Sequence, residues 1–235
     1  MPRSEAVVPR FDAIVFDMDG VLLDSEPLHF AALATVLARD GVALSQSENE
    51  AFIGTTVETT FGTLIARYSL SRSLAEYTAL YDAAVLDVLA APRPPAEGVE
   101  ALIAAARDHG LRLGLASSSR RLWIDATLRS LGLSKAFDAI VAGDDVGHGK
   151  PDPEIYLLAS NELGVAPARC LAIEDSPNGV TSARRAGMQV IGVRTPYTAH
   201  LTLDGVLQTV DSLAELDLVQ TLTRVRPGQD SNPRP

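Results

Sequence analysis

Two carboxylates near the start of the chain have the types and spacing for chemistry at a phosphorus atom. Asp17 and Asp19 lie two residues apart after a short apolar run, and Gly20 follows at once. Asp17 is suited to act as a nucleophile that forms an aspartyl-phosphate. Asp19 can donate a proton to, or accept one from, the other oxygen that takes part in the phosphoryl transfer. Gly20 permits the sharp turn that brings both acids together. The same residues also suit a strand that ends in an Asx turn, so this segment alone leaves both interpretations open.

Three later segments each carry a polar group at or just after the end of a predicted strand. These groups are Ser117, Lys150 and the pair Glu174 and Asp175. Because the carboxyl ends of parallel strands lie at one edge of a sheet, we expect these groups to converge with Asp17 on one pocket. The carboxylates among them offer the oxygen ligands that Mg²⁺ prefers.

The same pocket is predicted to bind a phosphoryl group. Ser117 can donate its hydroxyl, and the backbone N–H groups of Ser118 and Ser119 precede a predicted helix, whose N-terminus favours anions. Lys150 supplies a point charge for the phosphate and for the nucleophile. Together with a metal ion, this lysine would offset the charge that develops on the equatorial phosphate oxygens.

Each of these groups also has a purely structural interpretation. The serines at 117–119 suit a helix-capping loop, and Lys150 suits an exposed loop before Pro151. Glu174 and Asp175 suit the first turn of a helix, where acids favour the dipole. The structural interpretation would have to hold independently at four successive strand ends, which favours a shared site.

The elements that must position these groups follow an alternating strand and helix pattern. Predicted strands are 13–16, 111–116, 139–142, 170–173 and 189–193, and predicted helices between them are 99–109, 120–131, 153–163 and 177–186. This alternation predicts an α/β fold with a doubly wound parallel sheet, a Rossmann-like core. Residues 206–218 are predicted to add an edge strand and a short helix.

A helical block interrupts this pattern after the first strand. A helix is predicted to begin at Pro27, since proline is favoured at the start of a helix, and to end near Gly41. Helical patterns resume at 57–68 and 74–89, and the proline-rich segment 91–95 is a stiff connection. The block is therefore predicted to be an inserted all-helical cap.

The predicted domain organisation is discontinuous. Residues 1–24 and 96–225 form the α/β catalytic core, and residues 25–95 form the cap with its two hinges. Residues 226–235, RPGQDSNPRP, are predicted to be a disordered tail.

Composition excludes several classes of function for the 235-residue chain. A net charge of -10 argues against a nucleic-acid surface, and 46% hydrophobic residues argue against wholesale disorder. Cys170 is the single cysteine and is predicted to be a buried strand residue, so neither an internal disulfide nor a zinc cluster is expected. No signal peptide or membrane span is apparent, which predicts a cytoplasmic protein without a membrane partner, with a monomer as the default.

Four linked motifs resemble those of the haloacid dehalogenase-like hydrolase superfamily. They are DMDGV at 17–21, ASSS at 116–119, GKPDP at 149–153 and IEDSPNG at 173–179. The helical block after the first motif, together with DSEPLH at 24–29, resembles the β-phosphoglucomutase-like subfamily with a helical cap. The resemblance covers about residues 11–218.

The resemblance implies a role for each of the convergent residues. Asp17 would be the nucleophile and Asp19 the general acid and base, a pair that favours phosphate chemistry over dehalogenation. Ser117 and Lys150 would bind the phosphoryl group, in a pocket that Gly20 and Ser118 help to form. Magnesium would be held by Asp17, the backbone carbonyl of Asp19 and Asp175, with Glu174 as a direct or indirect partner.

The first cap loop bears on whether the phosphate passes to water or to a sugar. Mutase members of the subfamily carry an arginine in this loop, whereas Val57 occupies that position here. This difference favours a phosphatase, although Arg67 or Arg72 could substitute. Thr55 and Thr56 in the same loop are candidate substrate-binding residues.

The sequence therefore predicts a magnesium-dependent phosphatase that acts on a small phosphorylated metabolite, with a sugar phosphate as the expected substrate. A β-phosphoglucomutase-like sugar phosphomutase is the alternative, and a phospho-accepting signalling or binding module is a third. His29 aligns with a hinge histidine of the subfamily that could gate Asp19, and a solvent-facing histidine is the other interpretation.

Overall fold

The computed structural model describes residues 11–53 and 55–223. Within them, six strands form one sheet, and every neighbouring pair is parallel. The strands are β1 (Ala13–Phe16), β2 (Arg112–Ala116), β3 (Ala139–Val141), β4 (Cys170–Glu174), β5 (Gln189–Val193) and β6 (Gln208–Val210). The predicted disordered tail lies outside the described residues, as do residues 1–10 of the predicted core.

The order of the strands places the end of β1, which directly precedes Asp17, beside the point where the connections reverse. That order is β3-β2-β1-β4-β5-β6, so the connections reverse direction at β1. Phe16 at the end of β1 lies opposite Leu115 of β2 and Ile173 of β4, so the three carboxyl ends finish within one residue of one another. Ligands of open α/β sheets bind at this edge, beside such a reversal. The predicted doubly wound parallel sheet is confirmed.

Four helices lie among the described residues between β1 and the proline-rich connection. They are α1 (Glu26–Ala38), α2 (Gln46–Glu50), α3 (Val57–Tyr68) and α4 (Leu74–Leu89). Helix α1 begins one residue before the predicted start, with Pro27 in its first turn, where a missing N–H costs no hydrogen bond. It also ends at Ala38, earlier than predicted, and Gly41 follows in the left-handed conformation.

Side-chain caps explain where the other cap helices begin. Ser45 with Glu48 starts the short helix α2, and Ser73 with Glu76 starts α4; in each pair the serine accepts an N–H of the first turn and the glutamate binds back. Thr56 caps α3 by accepting the N–H of Thr59. The predicted bounds of α3 and α4 are therefore correct.

The remaining helices accompany the strands of the core. They are α5 (Val99–Asp108), α6 (Arg121–Ser130), α7 (Glu154–Leu163), α8 (Pro177–Arg185) and α9 (Leu218–Thr223). Three short 3₁₀ turns, Gly143–Asp145, Pro167–Arg169 and Leu213–Glu215, join them to the strands. The predicted edge strand near the end of the chain is β6.

Apolar packing covers both faces of the sheet. One cluster continues from Phe16 and Leu22 of the core to Phe61, Leu64 and Tyr77 of the cap helices, all of them buried. A second cluster, which includes the free thiol of Cys170, packs between the sheet and helices α7 and α8. Among the described helices, none combines the length and apolarity that crossing a bilayer requires.

Candidate active site

A lysine joins two of the predicted acids at the carboxyl edge of the sheet. Lys150 arrives on the loop after β3, and its Nζ lies 2.8 Å from Asp17 Oδ1 and 2.6 Å from Glu174 Oε1. It also donates to the carbonyl of Ala116 at the end of β2, at 3.0 Å. The lysine and both acids are almost completely buried. Residues that are far apart in the chain thus form one ion cluster.

The carboxylate of Glu174 is saturated by protein donors. Its Oε1 accepts from Lys150 and from the hydroxyl of Tyr156, at 2.9 Å. Its Oε2 accepts from the N–H groups of Asp175 and Ser176 and from the Ser176 hydroxyl, all within 3.1 Å. Such a network fixes both oxygens in a buried site, and with them the position of Lys150.

Asp175 has the opposite character. Among the described residues, no side chain or N–H group donates a hydrogen bond to its carboxylate, although the residue is buried, with only 9% of its surface exposed. Gly20 lies against it with a φ of 77°, and a Cβ added at Gly20 would fall 2.2 Å from Asp175 Oδ2. The turn that the sequence predicted at Gly20 therefore also makes room for this acid.

Three carboxylates of this cluster are arranged as a cation site. Asp17, Glu174 and Asp175 offer oxygens that all lie within 4.8 Å of one another, with Lys150 as the neighbouring cation. Burial raises the pKa of Asp175 to about 9, helped by the charges of Asp17 and Glu174. An acid with no hydrogen-bond donor in an excess of buried negative charge fits a hard divalent cation.

The charges of Asp17 and Lys150 depend on each other. Burial raises the pKa of Asp17, and Glu174 and Asp19 raise it further, against the opposing effect of Lys150. Burial lowers the pKa of Lys150, but attraction to Asp17 and Glu174 outweighs burial and holds that pKa above its ordinary value. The ammonium is therefore a permanent positive charge beside the predicted nucleophile.

Asp19 meets a serine that the sequence analysis did not single out as a side-chain donor. Ser119 donates to Asp19 Oδ2 at 2.8 Å, while Ser117 lies at the longer distance of 3.5 Å from the same oxygen. Ser117 is fully buried and accepts the N–H of Ser119, so it shapes the turn. Ser119 was detectable only as the third residue of a serine run.

The other oxygen of Asp19 faces the cap. Oδ1 has no hydrogen-bond partner among the described residues and lies 3.9 Å from His29 Nε2. Burial raises the pKa of Asp19, but His29 and the hydroxyls of Ser25 and Ser119 outweigh burial, so the pKa lies below its ordinary value. Without a ligand, Asp19 is consequently ionised at neutral pH, the form that accepts a proton.

His29 connects Asp19 to cap helix α4. Its Nδ1 lies 2.9 Å from the hydroxyl of Tyr81, and its ring packs 5.6 Å from that of Trp123. Tyr81 and Trp123 are themselves in edge-to-face contact. His29 is thus partly buried beside Asp19, and the solvent-facing interpretation of this residue is wrong.

Three other predicted site residues lie outside the ion cluster. Thr55 bonds the carbonyl of Phe52 and the hydroxyl of Thr60, and Thr56 caps α3. Ser118 is exposed. Their predicted contacts with substrate or phosphate stay predictions.

The two arginines considered as substitutes in the cap are engaged elsewhere. Arg67 pairs with Glu48 at 3.0 Å, and Arg72 pairs with Asp40 and lies over the ring of Tyr77. Both pairs are internal to the cap. Arg120, which directly follows the serine run, instead crosses from the core to the cap, and sequence reasoning missed it.

Comparison with known proteins agrees with the fold and with the motifs. The family model described as haloacid dehalogenase-like hydrolase matches residues 11–187. The YhcW protein of Bacillus subtilis (strain 168) is 37% identical over 89% of this chain and 96% of that protein. Hexitol phosphatase B of Escherichia coli (strain K12) is 34% identical over 88% of this chain and 96% of that enzyme.

A solved structure extends the similarity to three dimensions. CbbY from Rhodobacter sphaeroides, crystallised with phosphate, superposes with a TM-score of 0.81 at 31% identity, covering 90% of this chain and 99% of that one. The resemblance found in the motifs is thereby confirmed. The chain belongs to the haloacid dehalogenase-like hydrolase family and is a phosphatase within it.

Proposed function

We propose that this phosphatase hydrolyses the phosphate monoester of a small sugar, with Mg²⁺, through an aspartyl-phosphate on Asp17. The observation that carries the proposal is the contact of Lys150 with both Asp17 and Glu174. It holds one oxygen of the nucleophile beside a positive charge at the edge of the sheet. Relatives named for phosphorylated sugars and polyols support the substrate class.

The first step transfers the phosphoryl group to the protein. A carboxylate oxygen of Asp17 attacks phosphorus, the bond to the sugar oxygen breaks, and Asp19 gives its proton to that oxygen. Asp19 must be protonated for this step, and the negative phosphate beside it favours the protonated form by raising its pKa. Lys150 offsets charge on the phosphoryl oxygens.

The second step returns Asp17 to its starting state. Asp19, now ionised, takes a proton from a water molecule, and the water oxygen attacks phosphorus. The bond from phosphorus to Asp17 breaks, which releases inorganic phosphate, restores the Asp17 carboxylate and leaves Asp19 protonated, as the first step requires. Ser119 keeps Asp19 oriented through both steps by its hydrogen bond to Oδ2.

The residues present fit a magnesium ion. Asp17 and Asp175 would hold it together with the backbone carbonyl of Asp19, while Glu174, already bonded by five donors, would orient Lys150. Bound Mg²⁺ supplies charge that stabilises the phosphoryl group in the transition state.

Hydrolysis is favoured over the mutase alternative by the side chains of the cap. Val57 begins α3 where a mutase has an arginine, and both Arg67 and Arg72 are paired inside the cap. A cytoplasmic location and a monomeric state stay predictions from the sequence.

Phosphate release from a panel of sugar and polyol phosphates, with Mg²⁺ or with EDTA, tests the proposal. We expect turnover only with Mg²⁺, and loss of turnover in Asp17→Asn. Equal rates in both buffers would contradict the mechanism. Glucose 1-phosphate isomerisation that depends on a bisphosphate would favour the mutase, and a long-lived phosphate on Asp17 would favour a signalling module.

A further inference from the structure

The side of the site where a leaving group would depart is rich in negative charge. Asp19 marks this side, because it protonates the leaving oxygen in the proposed reaction. Glu26 lies near enough to Asp19 and His29 for their charges to affect its pKa. Two more acids, Glu58 on α3 and Asp82 on α4, approach from the cap.

One guanidinium stands among these carboxylates, and it is already paired. Arg120 Nη1 lies 2.8 Å from Asp82 Oδ2, and its Nη2 lies 3.4 Å from Glu58 Oε1. Its side chain is 27% exposed and that of Asp82 is 21% exposed, so solvent screens this pair only in part. Two carboxylates of the cap, Asp82 and Glu58, therefore lie beside one cation of the core, Arg120.

Arg120 is linked to Asp19 and His29 through its neighbours Ser119 and Trp123. It directly follows Ser119, which bonds Asp19, and its guanidinium lies 5.7 Å from the ring centre of Trp123. Trp123 in turn packs against His29. A leaving group held between Asp19 and the cap would therefore meet the Arg120 ion cluster, which we define as Arg120, Asp82 and Glu58.

Four other cations of the described chain already have carboxylate partners, and His29 lies 3.9 Å from Asp19. Lys150 serves the transferred phosphate, and Arg121 pairs with Asp145 at 2.6 Å. Arg67 and Arg72 are paired within the cap. An anionic leaving group at Arg120 would thus have to displace Asp82 and Glu58 from the guanidinium, or remain beside these two acids.

We propose that the Arg120 ion cluster makes this phosphatase selective for esters with an uncharged leaving group, and that Asp82 and Glu58 are the residues that reject a second anionic group. This inference rests on the proposed function and narrows its substrate class to monophosphates of neutral, hydroxylated molecules. Rejection follows from like-charge repulsion and from the cost of unpairing a partly buried acid.

An isosteric pair of aryl phosphates isolates charge from size. The 4-carbamoylphenyl and 4-carboxyphenyl phosphates differ by one negative charge on the leaving group. With Mg²⁺ present, we expect kcat/KM of the wild type to favour the neutral ester by roughly tenfold. Equal kcat/KM for the two esters would overturn the inference, whereas no hydrolysis of either ester would overturn the proposed function.

Charge-removing variants identify the residues responsible. Asp82→Asn with Glu58→Gln should bring the ratio of the two kcat/KM values close to one, because Arg120 is then free for the carboxylate. Adding Arg120→Gln to the double variant should lower kcat/KM for the carboxylate ester again. The ratio is compared within each variant, so a general loss of activity does not affect it.

Matched controls separate this role from a structural one. Asp87→Asn removes an exposed acid from the same helix, α4, and should keep the wild-type ratio. If the double variant does not fold, Glu58→Gln alone, at a side chain 59% exposed, should shift the ratio in the same direction by a smaller factor. A wild-type ratio in every folded variant would refute the assignment.

Discussion

At the scale of single residues, the site depends on how unequally its acids are bonded. Glu174 has five donors and Asp175 has none among the described residues, although the two are adjacent in the chain. A saturated carboxylate is a rigid support, whereas an unsaturated buried one needs a cation. The same residue type thus serves two purposes at neighbouring positions.

Replacing Tyr156 by phenylalanine tests the support that Glu174 receives. The change removes one buried hydrogen bond to a charged group and keeps the ring 5.1 Å from Lys150 Nζ. We expect the free energy of unfolding to fall by about 1.5–3 kcal/mol, measured by urea denaturation. Tyr197→Phe, at a partly exposed tyrosine after β5, should change it by less than about 0.5 kcal/mol. Equal effects of the two variants would contradict this role.

Magnesium binding should release protons and strengthen as the pH rises. The pKa of Asp175 is raised to about 9, so this acid is protonated at neutral pH before the ion binds, and the ion must displace the proton. Calorimetry between pH 6.5 and 8.5 should show affinity rising by up to roughly tenfold per unit for one proton. Asp175→Asn is the control and should weaken this dependence, leaving the part that comes from Asp17, whose pKa burial also raises. Constant wild-type affinity over the range would show that Asp175 carries no proton.

At the scale of elements, two glycines allow a turn and a helix to pack directly against carboxylates of the site. Gly20 admits Asp175, and Gly179 in the first turn of α8 admits Glu174: a Cβ at Gly179 would fall 1.7 Å from Glu174 Oε1. Both glycines belong to motifs recognised in the sequence. Their spatial reason is visible only in the structure: Asp175 approaches Gly20 from another strand end, and Glu174 approaches Gly179 from the last position of the strand that precedes α8.

Gly179→Ala should therefore impair activity through Glu174. The added methyl group must push the carboxylate away from Lys150, and a misplacement of about 1 Å can cost roughly 100-fold in rate. Steady-state kinetics should show a lower kcat/KM with Mg²⁺ saturating. Unchanged kinetics would mean that Glu174 has room to move.

Gly62→Ala is the matched control in helix α3. Apart from its chain neighbours and the backbone of its own helix, no described atom lies within 4 Å of the added Cβ, so the substitution should raise stability by about 0.5–1 kcal/mol and leave kcat/KM unchanged. Thermal melting of both variants separates a folding defect from a site defect.

At the scale of the whole molecule, the cap and the core share one apolar cluster. It runs from Phe16 of the sheet through Leu22 to Phe61 and Leu64 of α3. Trp123, the single tryptophan, lies where the two parts meet. A shared interior predicts that the cap and the core unfold together.

Leu64→Ala tests this coupling. Leu64 is fully buried, and its truncation should cost about 2–5 kcal/mol. Trp123 fluorescence and far-ultraviolet circular dichroism should report coincident urea transitions, shifted together. Leu74→Ala, at a side chain 38% exposed, should shift both much less. Separate transitions for the two probes would show that the cap unfolds independently.

The sequence by itself determined the sheet, the helical insertion and the positions of Asp17, Asp19 and Asp175 after strand ends, with Lys150 on the loop that follows β3. Hydrophobic periodicity, glycine and proline are local signals, so strands such as β1 and helices such as α3 and α4 could be predicted from them. The family resemblance rested on the same short motifs.

Only the tertiary structure decided which donors and acceptors meet. Ser119 rather than Ser117 makes the short bond to Asp19, Tyr156 supports Glu174, and Arg120 pairs with Asp82, 38 residues away in the chain. Such contacts depend on how the cap packs on the core and on which rotamers that packing allows. Local sequence patterns do not encode these choices, because the free energy of each contact is set by neighbours from distant segments.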